Sequence, residues 1–188
     1  MKIHGLILAL ILSALHSLQA HSETPPPTYF QIAAQEGVPV QYLYAVAQTE
    51  SNTELTIGFY PWPWTLNVAG ESKRFATYQE ACNEASLAVS KHGGKSVDIG
   101  IGQLNWGYNG HKYFRSPCDS LMPRRNLEVA ATLLRTHYQA TGDWLEAAGR
   151  YHRPAGGEPA KKYMKEIQRR LKKITVNPVQ RPPYVVAK

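Results

Sequence analysis

The stretch 45–52, AVAQTESN, closes a helix-patterned run on a single carboxylate. Val40, Leu43, Tyr44, Val46 and Ala47 recur at helical spacing, and Glu50 follows about one turn beyond them with Ser51 directly behind it. An acid at the rim of an apolar core has its charged form disfavoured by desolvation, so its pKa rises and it keeps a proton near neutral pH. That is what a general acid needs. Taken alone, Glu50 is more readily read as an ordinary exposed glutamate at a helix end. Other residues offer matching chemistry. Gln103, in GIGQLN, carries an amide that both donates and accepts. Tyr151, in GRYH, carries a phenol, and Trp62 and Trp64, in PWPWTLN, present flat apolar faces that suit a sugar ring and core packing about equally. Ser51 has capping of backbone groups as its commoner use.

These residues need elements to hold them. TYFQIAAQEG reads as a helix closed by Gly37, and Pro39 opens the helix that ends at Glu50. From Thr53 to Ser72 the periodicity breaks into a proline- and aromatic-rich stretch, expected to be a long irregular excursion with at most a short strand. Helical spacing returns at 77–93, where Thr77 and Glu80 form a capping box and Gly93 terminates. SVDIGIGQLNWGYNG is a glycine-rich turn region. Asn126 is expected to cap the helix LEVAATLLRTHYQATG, stopped by Gly142, and Asp143 to cap WLEAAGRYH. A last helix spans about 158–174. The expected fold class is α+β, predominantly helical, in one domain over 28–174 with little or no sheet. No repeat and no dinucleotide- or phosphate-loop spacing appears.

The chain of 188 residues, 43% hydrophobic and 19% charged, has ordinary globular composition. Lys2 precedes the apolar run LILALILSAL, and the segment closes with HSLQA, the pattern of a secretory signal over 1–20 cut after Ala20, an uncleaved anchor being the alternative, followed by a linker over 21–27. The apolar run is too short to span a bilayer comfortably, so no transmembrane segment is expected after cleavage. Export implies an oxidising compartment, and there Cys82 and Cys118 are expected to pair, two buried free thiols being the alternative. Two such cysteines make no zinc site alone, and no metal or other cofactor is expected.

The net charge of +7 is local. Without Lys2 the chain holds 20 Lys and Arg against 14 Asp and Glu, and the segment KKYMKEIQRRLKKI at 161–174 alone has seven Lys and Arg and one Glu. The rest of the mature chain is neutral, which argues against nucleic acid as a partner. Tyr163, Ile167, Leu171 and Ile174 share one helical face, so this segment reads as a helix docked by its apolar stripe with a solvated basic back, a contact with anionic wall polymer or phospholipid being the alternative. The proline-bearing tail 175–188 is expected to be mobile.

Four stretches in order, Glu50-Ser51 at a helix end, Gly102-Gln103 within GIGQLN, Asn126-Leu127 opening a helix and Tyr151 in GRYH, resemble the soluble lytic transglycosylase family. The closest likeness is to its small members associated with conjugation and type IV secretion, and PWPWTLNVAG at 61–70 is similar to that subgroup. The chain departs from the pattern where Gly102 adjoins Gln103 directly and where His152 stands in place of the usual Asn. The resemblance implies a goose-lysozyme-like fold and cleavage of peptidoglycan glycan strands in the periplasm, in the service of a secretion or conjugation apparatus. It implies Glu50 as the one catalytic carboxyl, with Ser51, Gln103, Tyr151, Trp62 and Trp64 as candidate substrate-binding residues. Such enzymes need no second carboxylate, because the sugar's N-acetyl group and C6 hydroxyl replace the nucleophile and water. Glu54, Glu71 and Asp98 are the carboxylates that would support a hydrolytic, lysozyme-type alternative. A peptidoglycan-binding assembly factor without activity is the other alternative.

Overall fold

The computed structural model describes residues 23–56 and 58–176. The signal-like segment 1–20, the first two linker residues and the tail from 177 lie outside them. The chain is mostly helical with a small sheet, as its α+β reading requires. Two helices lead, α1 (Pro27–Glu36) and α2 (Val40–Ser51). A hairpin follows at once, β1 (Asn52–Leu55) pairing antiparallel with β2 (Gly58–Pro61). Next come β3 (Thr65–Val68), β4 (Glu71–Arg74), α3 (Tyr78–His92), β5 (Val97–Ile99) and β6 (Leu104–Asn105). The one-turn α4 (His111–Tyr113) leads to the long α5 (Pro123–Thr141), then α6 (Trp144–His152) and α7 (Gly157–Leu171).

The helical half is one core. Ile32, Leu43, Tyr44, Val46, Leu134, Ala147, Tyr163 and Ile167 bury together, so α1, α2, α5, α6 and α7 each contribute an apolar face. Leu171 and Ile174 pack against the same cluster, and the basic segment is therefore docked by its stripe. A second cluster joins the sheet to α3 through Leu66, Val68, Ala81, Ala85, Val97 and Ile99. The caps follow the local chemistry. Thr77 and Glu80 satisfy each other's backbone donors at the head of α3, and Asp143 Oδ1 accepts from the Glu146 N–H at 2.7 Å.

Three expectations are corrected. The stretch from Thr53 to Ser72 is not an irregular excursion: it supplies four strands, and β4-β3-β5-β6 form an antiparallel sheet in that order. Strands of four residues beside two prolines and two tryptophans leave too little alternation to read as period two. The β3–β4 turn is Ala69-Gly70, both at positive φ (52° and 92°), the two-residue turn whose twist suits a hairpin, with Ala where Asn or Asp is usual. Asn126 is not a helix cap. Pro123 opens α5 after Met122, placing Asn126 inside the first turn and fully buried. Glu23, in the segment read as a linker, is tied to the far end of the chain: its N–H donates to the Lys173 carbonyl, its carbonyl accepts from the Thr175 N–H, and Gln48 donates to its carboxylate. Ile174 sits in this parallel bridge beyond α7, which ends at Leu171, and not in the helix.

Candidate active site

Glu50 lies in the last turn of α2, half-buried, where the helical core meets the sheet. Its Oε1 accepts a hydrogen bond of 2.7 Å from the hydroxyl of Tyr163, which α7 delivers from 113 residues away. Tyr163 is buried, and a phenol in an apolar stripe needs an acceptor. Burial raises the Glu50 pKa to about 7. The Tyr163 hydrogen bond works against that rise, and the charge of Asp98 adds to it. Asp98, on β5, is itself raised by burial and held by the Asn105 amide at 2.8 Å across the β5–β6 pair. Of Glu54, Glu71 and Asp98, Asp98 is the one whose charge adds to the Glu50 shift. Glu54 and Glu71 are exposed on the hairpin β1–β2 and on the edge strand β4.

The floor beside Glu50 is the turn Gly100–Gln103. Gly100 has φ +84°, and the Gln103 N–H donates to its carbonyl at 3.1 Å. The turn therefore runs from Gly100 to Gln103 with Ile101 and Gly102 between them, so that Gly100 is the glycine that opens it. Three side chains fasten it. Ser51 Oγ donates to the Ile101 carbonyl at 2.8 Å. Asn126 Oδ1 accepts from the Gly102 N–H at 2.8 Å, while its Nδ2 donates to the carbonyls of Ile99 and Ser120. The Tyr151 hydroxyl donates to the Gly102 carbonyl at 2.5 Å. A Cβ on Gly102 would lie 2.9 Å from Ala130 Cβ and 3.0 Å from the Tyr151 hydroxyl, which leaves no room for another residue.

The residues singled out in the sequence divide accordingly. Ser51 has no exposed surface and uses its hydroxyl on Ala47 and Ile101, so it ties the acid-bearing helix to the floor and has no face for a ligand. Gln103, at φ +46°, donates its amide to the carbonyls of Thr65 and Gly100 and fixes the turn to β3. Tyr151 stands beside Glu50, whose charge joins burial in pushing its phenol well above the ordinary tyrosine range, but its hydrogen bond goes to Gly102. Trp62 donates its indole N–H to the Phe75 carbonyl and its backbone N–H to Ser51, directly behind the acid. Trp64 packs on the sheet cluster edge-on to Trp62, ring centroids 5.3 Å apart. Cys82 and Cys118 are joined in a disulfide that ties α3 to the segment before Ser120.

Tyr163 and Asn126 are the residues whose roles sequence reasoning missed, one taken for core and the other for a cap. In both cases the available signal was a polar group at a position that the packing buries. Among the described residues no group of His, Cys, Asp and Glu could hold a metal ion, and no helix is long and apolar enough to cross a membrane. The chain matches no family model, no curated protein and no solved structure.

Proposed function

We propose that the chain is a periplasmic peptidoglycan lytic transglycosylase, with Glu50 as acid and then base. The observation that carries this reading is a half-buried carboxyl at a helix end whose pKa reaches about 7, hydrogen-bonded to a buried phenol. Such a group is protonated often enough at neutral pH to deliver a proton to a glycosidic oxygen, and basic enough afterwards to recover one. Glu50 protonates the oxygen linking MurNAc to GlcNAc, and the bond from that oxygen to the MurNAc anomeric carbon breaks. The substrate's N-acetyl carbonyl oxygen bonds to that carbon and holds the positive charge. Glu50, now a carboxylate, takes the C6 hydroxyl proton, and the C6 oxygen closes a 1,6-anhydro ring as the acetamido oxygen departs. Opening the wall locally in this way would serve a secretion or conjugation apparatus, the setting that the resemblance of Glu50-Ser51, Gln103, Asn126-Leu127 and Tyr151 implies.

Asp98 favours a second reading, hydrolysis of the lysozyme type, in which it activates water while Glu50 acts as acid. Its charge adds to the rise at both Glu50 and Tyr151, which supports this reading. Mass spectrometry of muropeptides released from purified peptidoglycan separates the two: 1,6-anhydromuramic ends are expected, and dominant reducing ends would establish the hydrolase instead.

A further inference from the structure

The imidazole of His152 lies flat on the ring of Tyr163, with centroids 4.6 Å apart and planes within 8°. His152 is the exposed last residue of α6, and Tyr163 is a buried residue of α7, so the stack spans the two helices at the solvent edge of the site. The far end of the same phenol is the hydroxyl that donates to Glu50 Oε1 at 2.7 Å. One ring thus has its face against His152 and its hydroxyl on the acid. A phenol held at its face by a parallel plate cannot swing about its Cβ without breaking the stack, and such aromatic contacts are favourable beyond the area they bury.

We infer that His152 is a positioning residue: it acts through Tyr163, holding the phenol in its hydrogen bond to Glu50. The imidazole does this as a neutral plate. Partial desolvation against Tyr163 and the charge of neighbouring Arg153 both lower its pKa, which favours the uncharged form. The groups around it are Tyr163 on α7 and Arg153 next in the chain, with Glu50 and Tyr151 beyond the phenol. Since the Tyr163 hydrogen bond favours the ionised form of Glu50, loosening it raises the Glu50 pKa further.

This inference names a residue of the site proposed above and rests on that reading for its importance, but its test does not require glycan cleavage. The Glu50 side-chain carboxyl is titrated by carbon-13 NMR in the wild type, His152→Ala, Tyr163→Phe, the double variant and His152→Phe. His152→Ala and Tyr163→Phe are each expected to raise the Glu50 pKa by at least about half a unit, the direction that follows from losing a donor to the carboxylate. The double variant is expected to match Tyr163→Phe alone, because His152 has no route to Glu50 once the hydroxyl is gone. His152→Phe, which keeps a plate and no charge, is expected to restore the wild-type value. If His152→Ala leaves the Glu50 pKa unchanged or lowers it, or if its effect persists in the Tyr163→Phe background, the inference is overturned. A wild type that releases no muropeptides would overturn the proposed function and leave this titration interpretable.

Discussion

As the proposed acid, Glu50 is held at a cost to folding, and the sign of that cost gives two predictions. Its folded pKa of about 7 stands above the ordinary 4.5, so the native state binds the proton more tightly than the unfolded chain. Below about pH 4.5 both states are protonated and nothing is lost. Stability falls as pH rises from there to about 7, and beyond it the native state carries the full cost of an ionised, half-buried carboxylate. At about 1.4 kcal/mol per tenfold change in proton affinity this reaches up to about 3 kcal/mol, and less to the extent that water screens the group. Glu50→Gln keeps the shape and loses the transferable proton, so glycan cleavage is expected to vanish while binding and fold persist. The same variant is expected to be about 1–3 kcal/mol more stable than wild type at pH 8 and nearly equal at pH 4.5, read from urea unfolding at both. Equal stability at pH 8 would show that the carboxylate is not desolvated. The position of Glu50 was legible because helical spacing places it one turn past an apolar stripe. Its partner was not, since nothing local to Tyr163 says that a helix 113 residues later ends up against α2.

At the scale of elements, what the sequence made legible is what local chemistry decides. The capping box of Thr77 and Glu80, the Asp143 cap and the glycines after α1 and α5 depend on near neighbours, and each stands where its pattern puts it. The short strands depend on partners instead: β3 has four residues and is defined by lying between β4 and β5. The floor of the site is of this second kind. Asn126, buried in the first turn of α5, joins the carbonyls of Ile99 and Ser120 to the N–H of Gly102, and so couples sheet, disulfide segment and floor. Asn126→Leu leaves those groups buried without partners and is expected to destabilise the domain by about 2–4 kcal/mol. Calorimetry would detect this as a fall of several degrees in Tm, and an unchanged Tm would mean that water takes over the amide's bonds. The Cys82–Cys118 disulfide closes a loop containing the whole of Gly100–Gln103. Its removal in the double serine variant is expected to cost about 3–4 kcal/mol in the chain-entropy account. Unfolding by urea checks that figure, and a cost near zero would mean that the unlinked chain is already constrained.

Across the whole molecule, the charge lies on the outer face of α7 and the hydrogen-bond partner of the acid on its inner face. α7 turns Tyr163 and Ile167 inward, the first to Glu50 and the second into the core, and leaves Lys161, Lys162, Lys165 and Arg169 outward, with Lys172 and Lys173 just beyond its end. Part of that charge is already met within the helix, where Glu158 pairs with Lys161 and Glu166 with Arg169 and Arg170. Exposed pairs of this kind contribute little to stability. Ile167→Asp, which buries an unpaired charge, is therefore expected to unfold the domain or destabilise it severely. Reversing Lys165, Arg169 and Lys172 together is expected to change stability by no more than about 0.5 kcal/mol per site. The triple reversal also decides whether the basic back recruits the wall. A targeting surface would hold anionic polymer by long-range attraction, weakened both by reversal and by salt, since the screening length falls from about 10 Å at 0.1 M to about 3 Å at 1 M. Recognition confined to the surface around Glu50 would meet sugar rings, whose hydroxyls and amides are uncharged, and would respond to neither. In sedimentation with purified walls at low and high salt, using the Glu50→Gln background so that the wall is not consumed, the charge-reversed chain is expected to pellet with the walls as well as its parent does at both salt concentrations. A loss of pelleting at low salt on reversal would instead assign the outer face of α7 a direct part in holding the wall.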